Sequence, residues 1–212
     1  MSIFGDWAQR YYDMGLVPLP LGKPTWKGRS AKGAFTKGWQ RAARDRYDQE
    51  TLSNWIEQYA DRNIGLSCGT IIDNGLQLVG IDVDDEEFLE DIRRAMPFTL
   101  SGKRGQKGIT WFALAPSEGD QFKTRRFVNK NGTVCDFLSL GSQTMIPPSV
   151  HPDTKRPYEW VGEPLHEIDL RTLPVVSKGF LLEVQAHANG KGCYFSGGAL
   201  DSGEEISGIN YM

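Results

Sequence analysis

The sequence is poor in cysteine and has no long apolar run, and each of these absences excludes a class of protein. Its three cysteines, Cys68, Cys135 and Cys193, match no disulfide framework or metal-ligand spacing, so we expect a reduced, cytoplasmic setting. No apolar stretch approaches the roughly 20 residues that a membrane helix needs. The first residues show no basic region followed by an apolar one, so we expect neither membrane insertion nor secretion.

The sequence also lacks an overall excess of positive charge, since its formal net charge at pH 7 is −3. Its basic residues are nevertheless grouped, and the acidic residues cluster elsewhere, between Asp82 and Asp91. The basic stretches are Lys23, Lys27, Arg29, Lys32, Lys37, Arg41, Arg44 and Arg46, then Lys103, Arg104 and Lys107, then Lys123, Arg125, Arg126 and Lys130. A polyanion can bind such stretches on an acidic protein, and ordinary solvated loops are the alternative explanation.

Mixed helical and strand patterns predict an α+β fold with a mainly antiparallel sheet. Helical spacing is found over 3–14, 52–59 (after Asp48 as N-cap), 88–95 and 175–188. Strands are predicted over 16–21, 64–68, 76–83, 109–115, 127–128, 133–140 and 158–161. We expect one domain over residues 1–188, and a Gly/Ser-rich tail or linker over 189–212.

Turn residues and glycines predict how some of these elements are connected. The runs at 64–68 and 76–83 are separated by Asp73-Asn74-Gly75, which indicates a hairpin or neighbouring strands. Asn129-Lys130-Asn131-Gly132 is typical of a second hairpin turn. The basic, Gly-rich segments 22–39 and 101–108 are expected to be loops.

Two carboxylates lie close together at the end of the predicted strand 76–83, where the acidic region begins. Asp82 and Asp84 are two residues apart, so their side chains lie on one face, about 7 Å apart. Such a pair repels unless a cation lies between the groups, and Mg²⁺ commonly binds one or two carboxylates together with substrate phosphates. Asp136, amid apolar residues of another strand, is a natural third ligand. Capping of the next helix by Asp84 or Asp85 is the alternative, but it explains only one carboxylate.

Two further segments carry groups that suit a phosphate or a sugar. The segment 101–108 combines three cations with glycines that let a backbone approach phosphate, although it lacks the P-loop signature, and a mobile hairpin loop is the alternative. In the segment 146–152, prolines stiffen the backbone around a serine and a histidine, and a structural turn is the alternative. The candidate nucleotide-binding residues are Lys103, Arg104, Lys107, Ser149 and His151.

The order of these features resembles a known family. An N-terminal helix precedes Gly15-Leu16-Val17-Pro18-Leu19-Pro20, followed by Lys37-Gly38-Trp39, Asn63-Ile64-Gly65, Asp82-Val83-Asp84, Asp136, Pro147-Pro148-Ser149-Val150-His151-Pro152 and Tyr158-Glu159-Trp160. This set resembles the bifunctional primase-polymerase domain of phage and plasmid replication proteins, within the archaeo-eukaryotic primase superfamily. The resemblance covers roughly residues 5 to 185.

The resemblance implies a fold, a reaction and partners. The fold would be an RRM-like, mainly antiparallel catalytic sheet flanked by helices, with an N-terminal α/β portion. Asp82 and Asp84 match the first metal motif and Asp136 the third, which implies bound Mg²⁺ or Mn²⁺ and templated synthesis from NTPs or dNTPs. The implied partners are a single-stranded DNA template and a fused or associated helicase. The residues expected on template phosphates are Lys27, Arg29, Lys37 and Arg41.

The sequence departs from the family at its second motif, a small residue, any residue and then histidine. Here Gly108-Ile109-Thr110 occupies that place, so Thr110 stands where a histidine would contact the nucleotide's phosphates. Thr110 is therefore a sixth candidate nucleotide-binding residue, because threonine can donate one hydrogen bond, although it supplies no positive charge. The neighbouring lysines and arginine of the segment 101–108 are the candidates to compensate.

Two other functions remain open at this point. The first is a single-stranded DNA or origin-binding module that keeps the fold without its chemistry, which Thr110 favours, with Trp26, Trp39 and Trp111 as base-stacking surfaces. The second is a metal-dependent nuclease, because the same carboxylates and His151 also suit phosphodiester hydrolysis. That alternative lacks a clear general base beside the metals.

Overall fold

The computed structural model describes residues 2–73, 75–95, 101–117 and 123–196. The helices are α1 (Ile3–Asp13), α2 (Arg29–Lys32), α3 (Gln49–Tyr59), α4 (Glu86–Ala95) and α5 (Lys178–Gly190), with short 3-10 turns at Trp39–Arg41, Leu165–Glu167 and Leu170–Thr172. The strands are β1 (Pro18–Pro20), β2 (Ile64–Ser67), β3 (Ile71–Asp73), β4 (Leu76–Val83), β5 (Ser101–Arg104), β6 (Ile109–Pro116), β7 (Arg125–Asn129), β8 (Gly132–Leu138), β9 (Gln143–Met145), β10 (Glu159–Gly162) and β11 (Tyr194–Phe195).

These strands form two antiparallel sheets, which confirms the predicted α+β class. The small sheet has the order β1-β2-β9, and the large one β10-β5-β6-β4-β8-β7-β11, with β3 paired to β4. The Asp48 side chain accepts a hydrogen bond from the Thr51 amide at 2.8 Å, so Asp48 is the N-cap of α3, as predicted. Among the described helices, none is long and apolar enough to cross a membrane.

The prediction that the runs 64–68 and 76–83 form a hairpin or lie side by side is wrong. β2 lies between β1 and β9 in the small sheet, whereas β4 is an inner strand of the large sheet. The turn after Asp73 instead joins β3 to β4. All four residues of β2 are buried, so its sequence has no alternation that could have indicated its partners.

The prediction of a loop over residues 101–108 is also wrong in its first half. Ser101–Arg104 forms β5, which pairs with β6 on one side and β10 on the other. The residue types Ser-Gly-Lys-Arg have weak strand propensity. Pairing on both edges of β5 overrides this weak propensity. The pairing satisfies the backbone N–H and C=O groups of a segment whose first three residues are buried.

The fold continues past the predicted domain boundary at residue 188. Helix α5 runs to Gly190, and Tyr194 and Phe195 of β11 pair with Val128 and Phe127 of β7. Residues 197–212 of the predicted tail lie outside the described residues.

The two faces of the large sheet bury different cores, and this difference positions the site. On β4, Val79, Ile81 and Val83 face one core, which contains residues of α4 and α5. Leu78 faces the other core, which contains residues of α1 and α3. On that second face no residue of β4 beyond Gly80 belongs to the apolar core. The next residue of β4 on this face is Asp82, and its neighbours on the adjacent strands are polar. The sheet thus keeps an uncovered polar end on one face.

Candidate functional site

A row of polar side chains crosses the large sheet at its uncovered end. The pairing register places Lys103 of β5 opposite Thr110 of β6, Thr110 opposite Asp82 of β4, Asp82 opposite Asp136 of β8, and Asp136 opposite Arg126 of β7. Directly opposite residues of antiparallel strands share a face and are neighbours. The register therefore brings together Asp82, Asp136, Thr110 and Lys103, which are far apart in the sequence.

Asp82 is oriented by Thr110. The Thr110 hydroxyl donates a short hydrogen bond to Asp82 Oδ1. Thr110 is buried, so this hydroxyl is held on the carboxylate rather than shared with solvent. Within the described residues, Oδ2 of Asp82 has no hydrogen-bond partner, which leaves it available to a ligand.

Asp84 directly follows Val83, the last residue of β4, and its negatively charged form is disfavoured. Burial, then repulsion by Asp82 and more weakly by Asp136, raises the pKa of Asp84, and Lys107 opposes the effect. Helix capping is performed by the next residue, because Asp85 Oδ1 accepts from the Glu87 amide at 2.9 Å. Capping is therefore no explanation for Asp84, and its raised pKa follows from burial first and from the neighbouring carboxylates second.

Asp136, in contrast, is already paired. Arg126 donates from Nε to Oδ1 at 2.7 Å and from Nη2 to Oδ2 at 3.0 Å, a two-pronged arrangement that fixes the carboxylate. The Asp136 side chain is 18% exposed and that of Arg126 55%, so the pair lies at the solvent edge of the row. Sequence reasoning placed Arg126 in a basic stretch but did not identify this partner.

Cations line the cleft together with the carboxylates. Lys103 is 6% exposed, and its Nζ lies 4.9 Å from the centre of the Tyr158 ring. Burial lowers the pKa of Lys103, while Asp82 acts in the opposite sense. Lys107 and Lys32 also line this cleft, whose empty volume, open to solvent, is about 490 Å³.

The loop 105–108 closes one side of the cleft through its glycines. Gly108 has a φ of +61°, and a Cβ on it would lie 1.8 Å from the Val83 carbonyl oxygen. A Cβ on Gly105 would lie 2.5 Å from the Tyr158 ring. Only glycine lets the loop pack this closely against the end of β4, and that packing places Lys107 beside Asp84.

His151 lines the cleft, and its ring is fixed from behind. It is 4% exposed, and its Nδ1 accepts from the amides of Asp153 and Thr154 at 3.3 and 3.4 Å. Burial, and then Lys32, lowers its pKa, so the neutral ring is favoured. With Nδ1 used as an acceptor, the proton of the neutral ring is on Nε2, which can donate to a ligand.

The structure does not bring two of the predicted nucleotide-binding residues to the cleft. Arg104 lies on the opposite side of β5 from Lys103, and its Nε donates to the Gly108 carbonyl at 3.2 Å. The fully buried Ser149 hydroxyl donates to the Ile64 carbonyl and accepts from the Ile64 amide, both at 2.8 Å. Ser149 thus attaches its rigid segment to β2.

The predicted DNA-binding cations are spread over the surface near the cleft. Lys27, Lys37 and Arg41 are exposed, and Arg29 is the first residue of α2, with a side chain outside the described part of the protein. Of the tryptophans considered for base stacking, Trp111 packs against the core of the opposite face. Trp26 lies beside Phe35, with ring centres 6.0 Å apart.

Sequence reasoning missed several residues that line the cleft: Lys32, Gly105, Gln106, Asp153 and Tyr158. Tyr158 was quoted only as part of a motif, and Lys32 only as a member of a basic stretch. Lys32 is carried by the short helix α2, and its carbonyl accepts from Gln143 Nε2 at 2.7 Å. No local pattern could have signalled that this contact turns a surface loop toward β4.

The carboxylates fit a divalent cation as a pair rather than as a triad. Within the described residues, no group of three or more His, Cys, Asp or Glu side chains is arranged to hold a metal ion. Asp82 and Asp84 are nevertheless adjacent carboxylates that repel each other, and Mg²⁺ is often bound by one or two carboxylates plus substrate phosphates. Asp136 could bind the same cation only after Arg126 released one of the two Asp136 carboxylate oxygens.

Asp84→Asn is expected to stabilise the protein in the presence of EDTA. The substitution removes a carboxylate that burial and Asp82 disfavour, so we expect a gain of about 1 kcal/mol, or about 2–4 °C in Tm. Because the folded-state pKa is raised, the gain is full at neutral pH and shrinks as pH falls through that pKa and the wild-type group takes up a proton.

The matched control is Asp85→Asn, which removes the same charge one residue later and keeps a side chain that can cap α4. Its Tm should lie within about 1 °C of wild type in thermal unfolding monitored by circular dichroism. Destabilisation by Asp84→Asn would mean that the carboxylate is satisfied in the absence of metal.

Ser149→Ala is expected to destabilise the fold without changing nucleotide binding. Loss of the hydroxyl leaves the buried amide and carbonyl of Ile64 without these bonds, at a cost of about 1–3 kcal/mol. Urea unfolding measures this loss, and Ser53→Ala on the exposed face of α3 should cost less than about 0.5 kcal/mol. A higher KM for the nucleotide without any loss of stability would instead place Ser149 in the binding site.

Comparison with known proteins identifies one family. A family model described as "bifunctional DNA primase/polymerase, N-terminal" (Prim-Pol) matches residues 8–175, which include every residue that lines the cleft. A search of curated proteins found no match.

Proposed function

The chain belongs to the bifunctional DNA primase/polymerase N-terminal family, and from this premise we propose that its cleft catalyses metal-dependent, template-directed nucleotidyl transfer. The family implies DNA and nucleotides as substrates. The reaction would join a 3′-hydroxyl to the α-phosphate of an incoming NTP or dNTP and release pyrophosphate. The proposed setting is the replication of a phage- or plasmid-type element, with a helicase fused or associated.

One observation carries the proposal: two adjacent carboxylates and several lysines line one cleft. Asp82 and Asp84 lie in it together with Lys32, Lys103 and Lys107. A nucleotide bound with a divalent cation presents both signs of charge, the cation to the carboxylates and the triphosphate oxygens to the lysines. Mg²⁺ or Mn²⁺ held by Asp82 and Asp84 would offset the developing negative charge on the attacking and leaving oxygens.

The remaining residues of the cleft bind and orient. Lys103 lies directly opposite Thr110, so it can supply the positive charge that threonine cannot, from the neighbouring strand. His151 donates from Nε2 to a phosphate or sugar oxygen while its Nδ1 stays on the backbone. Thr110 acts through Asp82, whose carboxylate it holds in one orientation.

Asp136 is proposed as a third metal ligand on the condition that its ion pair rearranges. Arg126 is 55% exposed, so water can replace the hydrogen bond that it would give up if one Asp136 oxygen turned to a metal ion. Arg126 would then be free to contact a phosphate. The exposed cations Lys27, Lys37 and Arg41, with Arg29, are proposed to contact template phosphates.

The test is incorporation of labelled NTPs and dNTPs on single-stranded templates, with Mg²⁺ and Mn²⁺ compared and EDTA and template-free reactions as controls. Product that requires both template and metal supports the proposal. Degradation of the template that EDTA abolishes would instead identify a nuclease. Template-independent addition of nucleotides would contradict the templated part of the reaction.

A second candidate function is single-stranded DNA binding without chemistry. It is favoured by the Asp136–Arg126 pair, which satisfies the third carboxylate without a metal. DNA binding that is unaffected by EDTA, with no incorporation under either metal, would support this function.

A further inference from the structure

A second concave site lies outside the catalytic cleft. It is a cavity with an empty volume, open to solvent, of about 630 Å³, called here the aromatic groove, with Trp39, Tyr47 and Trp55 in its wall. Its polar lining includes Lys37, Arg41, Asp45 and Thr51. All three aromatic side chains are half-buried, so each presents part of its surface to the groove.

Two rings of the groove, Tyr47 and Trp55, are held from behind, and Trp39 packs against a core cluster. The Tyr47 hydroxyl donates to the Pro18 carbonyl, and the Tyr47 and Trp55 ring centres are 4.4 Å apart at an interplanar angle of 55°. On its other side Tyr47 stacks on Tyr12 at 5.5 Å. The groove therefore offers aromatic surface whose orientation is fixed before any ligand arrives, which lowers the entropic cost of binding.

The charge at the groove suits an anion. Lys37 and Arg41 are exposed, and within the described residues neither forms a salt bridge. The acidic member, Asp45, is paired with Arg44 at 3.0 Å. An aromatic wall flanked by unpaired cations is the chemistry that binds an unpaired base together with its phosphates.

The groove lies close to the catalytic cleft. Lys32 lines the cleft and Lys37 the groove, so five residues of chain limit their separation to about 18 Å. Tyr158 of the cleft and Trp39 of the groove pack against the same core cluster, which includes Leu19. A short single strand can therefore reach both sites.

We propose that the aromatic groove binds an unpaired base of single-stranded DNA, which stacks on Trp39 while the adjacent phosphates contact Lys37 and Arg41. The inference rests on the proposed function in one respect: the partner is taken to be the template strand because the family acts on DNA. The groove holds the template beside the cleft and takes no part in the chemistry. A duplex is excluded as the ligand at this point, because its bases present no free face for stacking.

The experiment measures binding of a fluorescein-labelled oligo(dT) by anisotropy, in EDTA and without nucleotide. Trp39→Ala is expected to weaken binding about tenfold, and Trp39→Phe, which keeps a stacking ring, by less than about threefold. Lys37→Glu with Arg41→Glu should reduce the slope of log affinity against log salt by about 1.4, since each phosphate contact contributes about 0.7. Arg93→Glu with Lys130→Glu makes the same change in net charge at exposed residues elsewhere and should leave the slope near wild type.

The inference would be overturned if Trp39→Ala bound the oligonucleotide with wild-type affinity, or if a duplex bound as tightly as the single strand. It would also be overturned if both charge-reversal pairs reduced the salt slope equally. A groove that bound an apolar peptide and no oligonucleotide would likewise contradict it. Failure of the proposed function would give a different result. No form of the protein would then incorporate nucleotide, but Asp82→Asn would still bind the oligonucleotide as wild type does.

Discussion

Replacing Asp82 or Asp84 by asparagine is expected to lower the rate of templated nucleotide incorporation about a thousandfold. Asparagine keeps the size of the side chain but removes the charge that would hold the metal, and the charge stabilisation supplied by a bound metal is worth several kcal/mol. The measurement is steady-state incorporation on a primed single-stranded template at saturating Mg²⁺. Mn²⁺ should restore part of the activity, because weaker ligand sets bind it more readily than Mg²⁺.

Asp85→Asn is the control, since it changes the adjacent carboxylate, which caps α4 and faces no ligand. Its rate should stay within about twofold of wild type. Comparable rates in Asp82→Asn, Asp84→Asn and Asp85→Asn would contradict the assignment of the metal site. Retained oligonucleotide binding shows in each case that the variant is folded.

Replacing Lys103 by methionine is expected to raise the KM for the incoming nucleotide about 30-fold. A charge-assisted hydrogen bond to phosphate is worth about 2 kcal/mol, and the buried position of Lys103 limits competition from water. Because the lysine contacts the triphosphate in both the bound and the transition state, kcat should change much less than KM. Initial rates over a range of nucleotide concentration separate the two.

The segment 101–108 also supplies matched controls for Lys103. Lys107→Met removes an exposed cation of the cleft and should raise KM only about threefold, and Arg104→Met, on the other side of β5, should leave it near wild type. Burial lowers the pKa of Lys103, so its charge is disfavoured in the fold, and Lys103→Met should raise rather than lower the unfolding temperature. Equal effects of the three substitutions would show that Lys103 has no special role.

Helices and most strands could be predicted because their signals are local. α1 and α3 follow the 3.6-residue spacing of apolar side chains, and Asp48 caps α3 as its position indicates. β5 could not be predicted, because its strand state depends on pairing with β6 and β10 and not on its own residues. The partners of β2 were missed for the same reason.

The sequence by itself determined that Asp82 and Asp84 share one face of a strand, because side chains alternate with a period of two. It also determined the family, through the order of motifs along the chain. Only the tertiary structure decided which residues meet that pair. The register of four strand pairings places Lys103, Thr110, Asp136 and Arg126 in one row with Asp82. Ser149 and Arg104 instead form hydrogen bonds to backbone groups and do not line the cleft. Register depends on long-range pairing and core packing, which no local pattern encodes.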